Sequence, residues 1–160
     1  MTPLDSTVEV IDLLNKLLLD EYLQRDVYET YSHYIFGLCS ISLQKHLIDH
    51  RNEEDKHITT LQRYLMSLRA EPLVKRLEIP VIEPPITNIL LLDFELEKSA
   101  VKNYSEAVAA LEEIGDSQFT ALRVDLENIL VQEQEHTHDL MQWLRTEVSS
   151  NESDAKGKIC

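Results

Sequence analysis

The sequence predicts an all-α chain: a four-helix bundle built from two antiparallel helix pairs joined by one long crossover. Three observations carry this reading. The chain has 3 Gly and 5 Pro in 160 residues that are 43% hydrophobic, and long stretches contain neither breaker. Apolar residues recur at helical spacing through four of those stretches, 5–35, 40–68, 87–114 and 117–148. Each stretch is about 30 residues long, roughly 45 Å of helix at 1.5 Å per residue, a length suited to a bundle.

In the first helix the apolar face is broad. Leu13 and Leu17 flank a register that turns one of Asp20 and Glu21 inward, Leu14 and Leu18 flank the other, and periodicity favours neither acid. In the second helix Glu54 and His57 share a stripe with Leu43, Leu47, Leu61, Tyr64 and Leu68. In the third, Glu97 shares one with Leu90, Val101, Tyr104, Val108 and Leu111. In the fourth, Glu133 and His136 share one with Leu126, Ile129, Leu140 and Trp143. Short links, Phe36-Gly37-Leu38-Cys39 and Gly115-Asp116, force helices one and two, and helices three and four, to be antiparallel neighbours. The link between helices two and three holds Pro72, Pro80, Pro84 and Pro85. At about 3.3 Å per residue it spans roughly 60 Å, enough to return along the whole bundle and make helices two and three parallel.

The ligand-type residues repeat: Glu21 then Glu54-x-x-His57, and Glu97 then Glu133-x-x-His136, one set per helix pair. Residues three apart on a helix share a face, so each Glu-x-x-His can aim an oxygen and a nitrogen at one point. The motif alone is weak, because Glu135-x-x-His138 occurs too. That third copy steps onto Asn128, Val131, Gln142 and Arg145, a wet face. The other pairs lie on core stripes. A surface charge pair is the ordinary alternative for any one of them, but carboxylates on apolar stripes demand a cation. Tyr28 lies two turns beyond Glu21 and is either a phenol beside the metals or a core aromatic. His50, one turn before Glu54, is either a partner of the ligands or a packed core histidine.

The formal net charge of −14 argues against a nucleic-acid surface, which needs a basic patch, and suits cation attraction. No apolar run is long enough for a membrane span and no signal peptide is visible, so a cytoplasmic protein is expected. Cys39 and Cys160 form no metal or redox motif, consistent with a reducing compartment. Residues 1–148 are read as one bundle domain, and 149–160 as a disordered polar tail.

The segment Val10-Ile11-Asp12-Leu13-Leu14-Asn15-Lys16-Leu17-Leu18 leading into Glu21 resembles the first helix of the bacterioferritin branch of the ferritin-like superfamily. Glu54-Asp55-Lys56-His57, Glu97 with Lys102-Asn103 and Glu106-Ala107, and Ile129-Leu130 with Glu133-Gln134-Glu135-His136 are similar to its other three helices. The resemblance selects Glu21 over Asp20 and places Tyr28 beside a di-iron site. It implies that Glu21 and His57 bind one iron, Glu97 and His136 the other, and that Glu54 and Glu133 bridge them. Two Fe ions per subunit are then expected, with Mn or Zn as substitutes. Haem is not expected, since Asp55 stands where haem-binding relatives carry methionine. The short fifth helix of the family's large cages is replaced here by the polar tail, which weakens the case for 24 subunits in a homo-oligomeric cage and leaves 12 open. Glu53 matches an acidic residue of an accessory iron site, but Asp49 stands where that site has a histidine, so accessory iron sites are not expected.

The implied function is a ferroxidase that oxidises Fe2+ with O2 or H2O2 and stores the product in a hollow oligomer. The alternative is a di-iron peroxidase or oxygenase without mineral storage.

Overall fold

Four α-helices follow in order: α1 (Pro3–Ser32), α2 (Ser40–Ser67), α3 (Ile86–Ile114) and α4 (Thr120–Asp154). This computed structural model describes the backbone at 3–35, 40–82 and 86–154, and side chains at 6–35, 41–82 and 86–145. The first interhelix link with Cys39, and Cys160, lie outside the described residues. The architecture is the expected all-α four-helix bundle, with α1 packed on α2 and α3 on α4, and the pairs joined across α1 and α3.

The crossover runs up the side of α1. Leu73 N–H donates to Asn15 Oδ1 at 2.9 Å, the Arg76 guanidinium covers the Tyr22 ring at 3.3 Å, and Ile82 N–H donates to Tyr31 Oη at 2.8 Å. The partners on α1 ascend with those on the crossover. The chain therefore travels the length of the bundle before α3 starts, and α2 and α3 run parallel. Asn15 satisfies a backbone donor that a surface strap would otherwise leave to water, and Tyr31 does the same further along.

Both helix ends with positive φ are legible in hydrogen bonds. At the end of α3, Gly115 (φ 64) donates its N–H to Leu111 O at 3.1 Å, an αL cap that glycine adopts without steric cost. Asp116 Oδ1 then accepts from Gln118 N–H at 3.0 Å, starting a 3-10 turn (Ser117–Phe119) that seats Phe119 in the core and leads into α4. At the end of α2, Ala70 N–H bonds to Leu65 O at 2.9 Å and Arg69 N–H to Met66 O at 3.0 Å, the paired bonds of a Schellman motif. Its left-handed position is Arg69 (φ 59), where glycine is the usual occupant.

Of three apolar clusters among the described residues, one, around Val27, Tyr31 and Ile89, lies beneath the crossover, and the other two fill the ends of the bundle. One, around Leu14, Leu18, Leu61, Leu65, Leu111 and Leu126, occupies the end where α1 starts; the other, around Ile35, Leu43, Leu47, Leu90 and Leu140, occupies the opposite end. The duplicated motifs lie between them. One boundary differs from the sequence expectation: α4 continues to Asp154, past Val148 and into the segment read as a disordered tail. Glu147 and Glu152 tolerate helix, and no glycine interrupts before Gly157. Among the described residues no helix is long and apolar enough to cross a membrane.

Arg69→Gly is expected to stabilise the fold by roughly 0.5–1 kcal/mol, because it removes the Cβ strain of an αL residue, and Gly115→Ala to destabilise it by about 1 kcal/mol. Urea unfolding of the two variants against the parent chain measures both signs.

Candidate metal centre

Glu21 on α1, Glu54 and His57 on α2, Glu97 on α3, and Glu133 and His136 on α4 converge at mid-bundle, none more than 3% exposed. They form two overlapping donor sets. Glu21, Glu54, His57 and Glu133 each offer a ligand atom within 4.8 Å of the others; so do Glu54, Glu97, Glu133 and His136. Glu54 and Glu133 belong to both sets, which is the geometry of a bridge. His57 Nδ1 lies 2.9 Å from Glu133 Oε1, 3.1 Å from Glu54 Oε2 and 3.3 Å from Glu21 Oε2. His136 Nδ1 lies 3.4 Å from both Glu54 Oε1 and Glu97 Oε1. The third Glu-x-x-His copy, Glu135 and His138, is exposed. Asp20 turns aside and accepts a hydrogen bond from Asn103 at 2.8 Å, so the first helix presents Glu21.

The groups behind these six side chains repeat from one helix pair to the other. Tyr28 Oη donates to Glu97 Oε1, and Tyr104 Oη donates to Glu21 Oε1. Each tyrosine follows its own helix's glutamate by two turns and holds the glutamate of the opposite helix. The outward imidazole nitrogens are also anchored: His57 Nε2 donates to Gln132 Oε1 at 2.9 Å and His136 Nε2 to Glu53 Oε2 at 2.7 Å. A proton fixed on Nε2 leaves Nδ1 as the nitrogen whose lone pair can face a metal. Gln24 Nε2 approaches Glu133 Oε2 at 3.5 Å. Asp55, on the outer face, pairs with Arg51 at 3.2 Å.

The donors fit a pair of cations. Glu21 Oε2, Glu54 Oε1, Glu97 Oε2, Glu133 Oε1 and His136 Nδ1 are all buried without a hydrogen bond, although an imidazole stands close to several. Each orphaned polar atom costs about 1–3 kcal/mol, and five facing one another are paid for most simply by ions between them.

The ferritin-like domain family model matches residues 11–148. The chain belongs to that family. Among solved structures, this ferritin-like chain is similar to a ferritin-like, diiron-carboxylate protein from Bacillus anthracis str. Ames, with a TM-score of 0.81 and 22% identity over 90% of this chain and 99% of that one. It is also similar to a dodecameric thioferritin, the bacterioferritin-related protein from Bacteroides fragilis, with a TM-score of 0.79 and 21% identity over 92% of this chain and 90% of that one. At these identities the likeness establishes the fold.

In this ferritin-like bundle the electrostatics are those of crowded acids sharing few protons. Burial and then the Glu54 charge push Glu21 up to about 8. Burial and then Glu54 and Glu97 push Glu133 well above the usual range. Burial opposes ionisation of Glu54, but bonds from His136, His57 and Glu21 outweigh it and hold its pKa low. Burial likewise opposes charging His57 and His136, yet the surrounding carboxylates win, driving His57 far up and His136 to about 12. Beside them, burial and then the neighbouring His136 and His46 push His50 down to about 2, leaving a neutral ring that touches Tyr28 Oη through Nδ1 at 3.3 Å. His50 is thus both packed and bonded. Asp93, one turn before Glu97, is buried with neither oxygen partnered, and its pKa is raised well above normal by burial and then Glu97.

The sequence reading missed Tyr104, Gln132 and Asp93 as members of this environment. A signal for Tyr104 was present, since Glu21-x6-Tyr28 and Glu97-x6-Tyr104 are the same spacing in the two halves. Asp93 carried one as well, one turn before Glu97 on the Leu90 stripe as His50 is before Glu54; Gln132 carried none.

Tyr104→Phe, like Tyr28→Phe, is expected to lower metal affinity roughly 10- to 100-fold by freeing a terminal carboxylate, with the fold retained; equilibrium dialysis against Zn2+ measures it. The metal-free protein should also lose stability as pH rises. From 4.5 to about 8 the folded chain keeps a proton on Glu21 that the unfolded chain has released. From 6.5 to about 12 the same holds for His136. Both make folding less favourable on alkalinisation across those windows, while Glu54 and His50, with their lowered pKa values, remove stability only in acid. Melting curves of the chelated protein should show Tm falling from neutral to alkaline pH, a slope that metal loading flattens.

Proposed function

We propose that this centre is a ferroxidase: it binds two Fe2+ per chain as substrate and oxidises them with O2 or H2O2, releasing Fe3+ to a mineral inside a hollow homo-oligomer. The observation that carries the reading is the pair of donor sets sharing Glu54 and Glu133. Four carboxylates match the charge of two divalent ions, so a ferrous pair is neutralised without further anions. Iron held there supplies the redox chemistry, each Fe2+ giving up one electron.

The chain's own groups do the rest. Glu54 and Glu133 would hold both ions, and Glu21 with His57 and Glu97 with His136 would complete the two ends. Tyr104 and Tyr28 orient the terminal carboxylates, and Gln132 and Glu53 keep the imidazoles in the ligating tautomer. Protons that the metal-free cluster holds on its imidazoles and acids must leave when metal enters. The apolar clusters on either side exclude water from the pair.

A cleft of about 170 Å³ between α2 and α4, bordered by Lys56, Arg63, Asn128 and Gln132, reaches His57. It is smaller than the roughly 300–1,000 Å³ typical of pockets for organic ligands, which favours a small oxidant over an oxygenase substrate. A peroxide-reducing role without storage would use the same residues and is the alternative that the storage test decides. A cage of 12 or 24 copies belongs to this reading, supported by the dodecameric assembly named for the Bacteroides fragilis relative. A cytoplasmic setting belongs to it as well.

Stopped-flow absorbance after mixing with Fe2+ in air should show rapid oxidation of two ions per chain. Glu54→Ala and Glu133→Ala should reduce that burst by at least roughly 100-fold, and Glu21→Ala by less, because a bridge serves both ions. Equal losses in all three, or no burst in the parent chain, would count against the centre. A monomeric native mass with no retained ferric core would remove storage and leave the peroxidase alternative.

A further inference from the structure

Beyond the paired centre, toward the start of α2, stands a second set of donors. His46 and His50 are one turn apart on α2, a spacing at which two imidazoles on one helix face reach a single ion. Asp139 on α4 faces them, and the three residues offer ligand atoms within 4.8 Å of one another. His50 is buried, while His46 and Asp139 are half-buried, so the cluster opens toward the outside of the subunit. His46 Nε2 is nevertheless shielded and has no hydrogen-bond partner.

The cluster is continuous with the paired centre. The His46 and His50 rings are 4.2 Å apart, and the His50 ring stacks on His136 at 4.0 Å. His50, Glu97 and His136 form a donor set of their own within the same 4.8 Å limit. Glu97 and His136 therefore belong to both the paired centre and this intermediate set, and His50 to both the intermediate and the outer set. The surroundings are acidic: Asp139, Asp49 and Glu53 all act on His46 through space. The cleft on the His57 side carries Lys56, Arg63 and Asp125, the last two bridged at 3.0 Å, and so draws cations less than the acidic side does.

We propose that His46, His50 and Asp139 form a third cation site, holding one divalent first-row transition-metal ion and linked to the paired centre through His50, Glu97 and His136. Two imidazoles with one carboxylate suit Fe2+, Co2+ or Zn2+ and disfavour Ca2+ and Mg2+, which prefer oxygen ligands throughout. The site stands on its own geometry; its use as a waystation for Fe2+ rests on the ferroxidase reading. In that role it lets an ion step between the surface and the pair from one donor set to the next, without crossing apolar packing.

Equilibrium dialysis of the full-length, metal-free chain against Co2+, with visible absorption to follow the imidazole-bound ion, tests the site. The parent chain should saturate near three ions per chain. His46→Ala and Asp139→Asn should each bring that to two; because Asp139 is half-buried, the second variant guards against misfolding in the first. Glu54→Ala, which breaks the shared bridge, should keep the ion that depends on His46. A parent chain that saturates at two and is unchanged by either variant overturns the third site while leaving the pair intact. A parent count of one, lost in His46→Ala, supports the third site and sinks the pair.

Discussion

Four carboxylates buried within a few ångströms of one another are the constraint to which the rest of this bundle answers. Removing an ionised carboxylate from water costs several kcal/mol even after relaxation, and Glu21, Glu54, Glu97 and Glu133 are all essentially inaccessible. Without metal the chain meets the cost with protons, on His57 and His136 and on part of the acid set. With metal it meets it with cations. Both solutions need the groups held in place, which the tyrosines, Gln132 and Glu53 do by bonding to the buried carboxylates and imidazoles.

The apolar packing serves the same end. Leucines close the bundle above and below the acids, so charges in the middle layer interact through little water and fix one another's protonation strongly. Polarity is distributed unevenly about that layer. On the side of the first cluster it gives way at once to Leu18, Leu61 and Leu126. On the other it continues through Asp93, His50 and His46, interleaved with Leu47, before Leu43. A bundle optimised for stability alone would not carry unpartnered Asp93 oxygens and a stacked histidine column through its core. That asymmetry makes one end of the bundle more polar than the other.

Much of this was legible in the sequence. Helical periodicity separated Glu54, His57, Glu133 and His136 from the exposed Glu135 and His138 copy, and link lengths gave the antiparallel pairs and the crossover. Periodicity failed where a helix face is apolar nearly all round, as at Asp20 and Glu21; only the neighbouring Asn103, distant in sequence, draws Asp20 aside. It also failed for contacts made across helices. Gln132 reads as a polar residue on a wet face, and its bond to His57 depends on how α4 sits against α2. Asp139 and His46 are separated by most of the chain, and no spacing rule joins them. The end of α4 carries no apolar periodicity either: it runs on to Asp154 through Ser149, Ser150, Asn151 and Glu152, with no glycine or proline to stop it.

The central claim is that two ions share Glu54 and Glu133. Anomalous diffraction at the iron edge, from crystals loaded with Fe2+ without oxygen, tests it most directly. Two peaks roughly 3.5–4 Å apart, each within bonding distance of both bridging carboxylates, are what the account requires. A single peak, or iron confined to surface carboxylates with the six converging side chains unchanged, would contradict it.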